Sequence, residues 1–86
     1  AYARHDFCEE LARDEGYPER FSIALDQALL GLPVTNADYR HETDIASPTA
    51  AQDLQRLRRD GWLEQEGGGR SVRYVAGNKL RERWSV

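Results

Sequence analysis

Only one group of residues combines side-chain types that bind metals with a close spacing. His5, Cys8 and Glu9 fall within one helical turn, and imidazole and thiolate are common zinc ligands. A closed zinc site needs four ligands, however, and this segment offers only two soft ones. We therefore predict neither a metal site nor a bound cofactor.

The residues that suit catalysis are equally sparse. His41 follows Asp38 by three positions, but no Ser, Cys or Lys nucleophile is placed beside it by any readable motif. The glycine run at 67–69 lacks the lysine and the spacing of a phosphate-binding loop, so we interpret it as a flexible turn. No catalytic residue is predicted, and the chain is not expected to be an enzyme.

Polar and basic side chains between residues 47 and 73 have the types that recognise duplex DNA. Gln pairs with the edge of adenine and Arg with that of guanine, while hydroxyls and other arginines bind phosphates. Gln52 and Arg56 are predicted to contact base edges, and Arg59, Arg70 and Arg73 are predicted mainly to hold phosphates. The full set of candidates is Ser47, Thr49, Gln52, Arg56, Arg59, Arg70, Ser71 and Arg73.

The charge is distributed unevenly along the chain. The formal net charge is −3 and the isoelectric point about 5.3, which for the whole chain argues against nucleic-acid binding. Residues 1–34 carry three basic and seven acidic groups, whereas residues 56–86 carry eight basic and four acidic groups. This split indicates a basic binding half beside an acidic one, although the same charges also fit an ordinary solvated surface.

The composition is that of one small soluble domain. The chain has 86 residues, of which 40% are hydrophobic and 31% charged. Its single cysteine excludes an intramolecular disulfide, and it has neither an apolar run long enough to cross a membrane nor a secretion signal. We expect a cytoplasmic protein and, because methionine is absent, a piece of a longer one.

Apolar spacing and turn signals predict a series of short elements that must position these candidates. Thr35 and Ser47 are the predicted N-caps of two helices, and Gly31 is the predicted left-handed end of the helix before them. The predicted elements are helices over about residues 3–15, 18–31, 35–43 and 47–60, strands over 62–66 and 71–75, and a possible helix over 78–84.

The same spacing indicates which side chains point inward. The predicted inward residues include Leu32, on the apolar face of the second helix, and Ile45, Ala50, Leu54, Leu57, Trp62, Val72 and Tyr74. This stripe is narrow in the helix at 47–60, so Asp53 is predicted to lie outside with the candidate DNA-binding residues.

The order of elements predicts an α+β, mostly helical fold, a winged helix-turn-helix. Its three-helix core and two-stranded β-hairpin wing follow an extra N-terminal helix. Residues 18–77 would form this domain, residues 1–17 a helix or linker from an upstream domain, and residues 78–86 a tail or short helix. In such a fold the helix at 47–60 enters the major groove and the wing at 67–73 lies on phosphates.

Three stretches of the sequence resemble the C-terminal winged-helix segment of bacterial Fic-family proteins. They are TNADYR at 35–40, SPTAAQDLQRLRRDGWL at 47–63 and GGGRSVRYV at 67–75, within a match over about residues 32–77. The resemblance implies a DNA-binding, regulatory module of a larger protein whose other domain transfers nucleotides. The catalytic Fic signature is absent, so this chain itself is not expected to transfer AMP.

Two departures favour an alternative function. Gln52 stands where such sequences often carry arginine, and Asp53 and Asp60 place negative charge on or beside the same helix. The alternative is a winged helix that binds proteins without DNA, docking on its own upstream domain or forming a homodimer through the helix that carries Phe7 and Leu11. No membrane partner is predicted.

Overall fold

The computed structural model describes residues 3–85, apart from the side chain of Arg70. Within that range the chain forms five α-helices and a two-stranded antiparallel sheet, which confirms an α+β, mostly helical fold compatible with a winged-helix-like layout. The elements are α1 (Arg4–Asp14), α2 (Phe21–Leu29), α3 (Asn36–Thr43), α4 (Ser47–Arg59), β1 (Leu63–Glu66), β2 (Arg73–Ala76) and α5 (Asn78–Trp84). None of these helices is long and apolar enough to cross a bilayer.

The ends of the helices follow most of the predicted capping signals. Thr35 Oγ1 accepts a hydrogen bond from the backbone N–H of Asp38 at 3.1 Å, and Gly31 has a φ of 84°, so both predictions are confirmed. The prediction for Ser47 is wrong: the N-cap of α4 is Ala46, and Ser47 is its first residue. The Ser47 hydroxyl instead contacts the Asn36 side-chain oxygen at 3.3 Å, because α3 begins beside it.

The two strands of the β-hairpin are each one residue shorter than predicted, and the connection between them, over residues 67–72, is longer. Leu63 pairs with Ala76 and Glu66 with Arg73, and a 3-10 turn over Gly69–Ser71 takes the place of the first residues expected in β2. Gly67 has a φ of 76°, and a Cβ there would lie 2.5 Å from the backbone oxygen of Ser71, in the 3-10 turn. Glycine is therefore required at this position by geometry, since an L side chain is disfavoured at that φ and has no room.

One hydrophobic core joins all the helices and the hairpin. Trp62 is fully buried, as predicted, and Ala50, Leu54, Leu57 and Tyr74 are also buried. Ile45 and Val72 are partly buried against them. Cys8, Leu11 and Ala12 of α1 and Leu80 of α5 belong to the same core, so α1 packs as closely as the elements after residue 17.

Two details at the edges of the core concern the chain termini and the α2–α3 loop. The rings of Phe7 in α1 and Trp84 in α5 lie 5.0 Å apart, so the first and last helices are in contact.

The prediction that Leu32 lies inward is wrong: α2 ends at Leu29, and Leu32 in the following loop is 54% exposed.

A single bridge attaches the α2–α3 loop to the hairpin. The backbone of Val34 exchanges two hydrogen bonds with that of Tyr74, at 2.7 and 2.8 Å, in an antiparallel arrangement. Val34 thereby lies along β2 on the side opposite β1. The hairpin is consequently held against the start of α3 as well as against α4.

Candidate functional site

A buried carboxylate holds α3 and α4 in their relative orientation. Asp53 of α4 is only 5% exposed, so the prediction that it lies outside is wrong. Its oxygens accept hydrogen bonds from Arg20 Nε at 2.6 Å, from Arg20 Nη2 at 3.0 Å and from the Tyr39 hydroxyl at 2.8 Å. One carboxylate therefore connects the residue before α2, the middle of α3 and the centre of α4.

The charged and polar groups of this network compensate one another. Arg20 and Asp53 form an ion pair, and the hydrogen bonds with Asp53 raise the pKa of the Arg20 guanidinium further above its ordinary value. Burial and the hydrogen bond to Asp53 raise the pKa of the Tyr39 hydroxyl. Tyr39 is thus a neutral donor to a paired carboxylate throughout the physiological pH range.

The turn between α3 and α4 is tight and polar. Asp44 ends α3 in the left-handed conformation with a φ of 55°, which Asp tolerates better than most residues. Asn36 Nδ2 donates to the backbone oxygen of Ser47 at 3.3 Å, next to the contact of the Ser47 hydroxyl. The predicted link at 44–46 is confirmed, and α3 and α4 form a compact two-helix unit.

One long side of α4 is exposed in the described part of the chain, although Gln55 Nε2 on this side donates to the Tyr74 hydroxyl of β2 at 2.8 Å. We call it the outer face of α4, and it consists of Pro48, Ala51, Gln52, Gln55 and Arg59, all exposed. Gln52 and Arg59 were predicted from sequence, whereas Ala51 and Gln55 were not. Ala51 lies three positions after Pro48 and Gln55 three positions after Gln52, and this helical spacing was the signal that would have found them.

The other candidates on α4 lie at the flank of this face. Thr49 is half-buried. The guanidinium of Arg56, predicted to meet a base or a phosphate, lies 4.9 Å from the centre of the Tyr17 ring and 5.9 Å from that of Phe21. The Tyr17 hydroxyl donates to Asp60 at 2.5 Å, which fixes the ring beneath the arginine. Arg56 thus packs against the loop that joins α1 and α2.

The hairpin candidates are placed near the start of α3. Ser71 and Arg73 line a cleft of about 450 Å³ together with Thr35, Asn36 and Arg40. Arg73 Nε lies 3.2 Å from a carboxylate oxygen of Glu66, its cross-strand partner, so its charge is already paired. The side chain of Arg70 lies outside the described residues.

The acidic residues of the hairpin reduce its positive charge. Glu64, Gln65 and Glu66 of β1 are all exposed, and only Glu66 has a basic partner in the described structure, Arg73. The basic surface expected over 56–86 is therefore interrupted along β1.

The residues once considered as metal ligands do not assemble into a site. His5 pairs with Glu9 at 3.4 Å on the surface of α1, whereas Cys8 is fully buried in the core. Among residues 3–85 no group of three His, Cys, Asp or Glu side chains comes close enough to hold a metal ion.

No protein-family model matches this sequence, and no curated protein matches it significantly.

Proposed function

We propose that this chain is a winged helix-turn-helix domain that binds duplex DNA through the outer face of α4. The observation that carries the proposal is that α4 is packed on one side only, with Gln52 and Arg59 on its exposed side. An α-helix with its side chains is about 10–12 Å across, which matches the width of about 12 Å of B-DNA's major groove, so the exposed side of this 13-residue helix can enter the groove.

The architecture supports the winged-helix assignment. Helices α2, α3 and α4 supply a three-helix core, and the tight turn at Asp44 gives the α3–α4 pair the form of a helix-turn-helix. The hairpin of β1 and β2 follows α4 after a short turn, in the place of a wing. The isolated bridge between Val34 and Tyr74 holds the loop before α3 along the edge of β2.

The chemistry of the outer face suits base recognition. The Gln52 amide matches the hydrogen-bonding edge of adenine, and Arg59 matches guanine or a phosphate. We expect Arg56 to contribute positive charge without touching a base, because its guanidinium lies over Tyr17. Ser71 and Arg70, at the hairpin tip, remain predicted phosphate ligands.

Fluorescence anisotropy of a labelled duplex tests the proposal. Affinity should fall steeply between about 50 and 200 mM salt, because phosphate contacts release counterions. Gln52→Ala should change the ranking of duplex sequences, whereas Arg70→Ala should weaken all duplexes alike. Glu10→Ala, on an exposed position of α1, is the matched control and should change neither. A folded chain that binds no duplex at the lower salt would overturn the proposal.

A second function, protein binding without DNA, is favoured by a separate observation. Leu30 and Leu32 are 50% and 54% exposed at the end of α2, and they are the large apolar side chains most exposed in the described structure. Leu11, once expected in a dimer interface, is buried in the core of its own chain. The loop carrying Leu30 and Leu32 is consequently the better docking surface for an upstream domain or a second copy.

Light scattering after gel filtration tests the homodimer form of this alternative. A dimer that Leu30→Ser and Leu32→Ser convert to a monomer would support it, and a strict monomer would contradict it. The further proposal that the module belongs to a larger, Fic-like bacterial protein depends on the resemblance over residues 32–77. The sequence of the full-length protein would test it.

A further inference from the structure

The described structure contains a second polar cleft, on the side of α4 that faces α5. It has a volume of about 880 Å³ and is bounded by the second half of α4, by β1 and by the start of α5. Arg58 and Arg59 line it from α4, Glu64 from β1, and Asn78 and Lys79 from α5. We call it the basic cleft. None of its residues except Arg59 was expected to bind a ligand.

The charge of the basic cleft is unbalanced. Three cations, Arg58, Arg59 and Lys79, line it, against one carboxylate, Glu64. Each of the four ion pairs between described residues lies elsewhere, at Arg4, His5, Arg20 and Arg73. With only one carboxylate for three cations, the positive charges repel one another on balance, and a bound anion reduces that repulsion.

Lys79 is held at the edge of the cleft by three contacts. Its Nζ donates to the backbone oxygen of Asp60 at 2.9 Å and lies 4.1 Å from the centre of the Trp62 ring. Its stem passes over Gly61, where a Cβ would lie 3.5 Å from Lys79 Cδ. Because an ammonium has three N–H groups, donation to Asp60 leaves capacity for a further acceptor.

We propose that the basic cleft binds a phosphate group, and that on DNA this is a backbone phosphate flanking the groove that α4 occupies. The assignment to a DNA phosphate rests on the proposed function, whereas binding of a phosphate group in the cleft does not. Arg59 belongs both to the cleft and to the outer face of α4, so the two surfaces are continuous. One guanidinium group can donate two parallel hydrogen bonds to two oxygens of a phosphate, and its positive charge favours such an anion over a neutral or cationic ligand.

The salt dependence of duplex binding tests the proposal. Each phosphate contact contributes about 0.9 to the slope of log affinity against log salt, so losing one contact reduces the affinity ratio between about 50 and 200 mM salt by about 3.5-fold. Arg58→Gln and Lys79→Gln are each expected to reduce the ratio by about this factor. Arg13→Gln, an exposed arginine on α1, removes the same charge elsewhere and should leave the ratio unchanged. Circular dichroism spectra that match the spectrum of the unsubstituted chain would show that the variants fold normally.

A second experiment separates the cleft from the proposed function. Pyrophosphate is titrated into the isotopically labelled chain while the guanidinium signals of Arg58 and Arg59 and the indole signal of Trp62 are followed by NMR. Specific shifts, lost in Arg58→Gln, support a phosphate site whether or not duplex DNA binds. The Arg13 signal is the internal control.

The possible outcomes are distinguishable. Duplex binding whose salt slope is unchanged in Arg58→Gln and Lys79→Gln would overturn the cleft proposal and leave DNA binding by α4 intact. If pyrophosphate shifts the NMR signals of the cleft but the chain binds no duplex, the phosphate site is supported and its ligand is a free phosphate compound. The proposed function would then be overturned. Neither duplex binding nor pyrophosphate shifts would overturn both.

Discussion

Removal of the Asp53 carboxylate should strongly destabilise the domain. Asp53→Ala leaves the hydroxyl of Tyr39, which is 1% exposed, without its acceptor, and a buried unsatisfied donor costs about 1–3 kcal/mol. The side chain of Arg20 is 35% exposed, so water partly replaces its lost partner, and we assign about 1 kcal/mol to that pair. The expected loss is therefore about 3 kcal/mol.

This loss is large relative to the stability that a chain of this size can have. Eighty-six residues correspond to a free energy of unfolding of about 4–13 kcal/mol. A loss of about 3 kcal/mol should lower the Tm by about 12–24 °C. Gln52→Ala changes the adjacent, exposed residue of the same helix in the same way and should alter stability by less than about 0.5 kcal/mol.

Urea unfolding followed by circular dichroism and Trp fluorescence measures both variants. Tyr39→Phe removes the stranded donor, so Asp53→Ala should cost about 1–2 kcal/mol less in that background. A loss below about 1 kcal/mol for Asp53→Ala, with an unchanged dependence on urea, would refute the conclusion that this carboxylate holds α2, α3 and α4 together.

Three further predictions concern other parts of the structure. Burial raises the pKa of the Cys8 thiol to about 12 and also raises the pKa of the Tyr39 hydroxyl. Because the unfolded chain therefore loses these protons at a lower pH than the folded chain does, the urea midpoint should fall as the pH rises above about 9. The fall should be smaller in Cys8→Ala. Gly67→Ala should destabilise the hairpin by about 1–2 kcal/mol in thermal unfolding, whereas Gly68→Ala, with open space and no positive φ, should cost much less. Arg56→Ala should cost about 1 kcal/mol through lost contact with the ring 4.9 Å away, and an unchanged urea midpoint would contradict that contact.

The parts of the fold that sequence predicted are those governed by local chemistry. The Thr35 cap, the left-handed Gly31 and the link at 44–46 each depend on a few neighbouring residues, and each is present. The prediction that Ser47 is an N-cap was wrong because its hydroxyl donates instead to the side-chain oxygen of Asn36, which lies 11 positions earlier in the sequence. Local signals cannot reveal such competition.

The site was harder to predict because its charged residues have distant partners. From its position in α4 alone, Asp53 was predicted to be a surface residue. In the folded chain it is paired with Arg20, which lies 33 positions earlier, just before α2. Arg56 has the type of a DNA-contacting residue, yet Tyr17 lies beneath its guanidinium. The pairing of Arg73 with Glu66 depends on the strand register, which a glycine-rich tip leaves open in sequence.

The division of α4 between two sets of side chains has a consequence for engineering. The inward set, which includes Ala50, Asp53 and Leu54, carries the packing, while the outer face makes few contacts with the rest of the chain. The outer positions can be randomised in a library while the inward set is kept, so most members should retain the fold. Selection on such a library would read out the ligand preference of this surface separately from its stability.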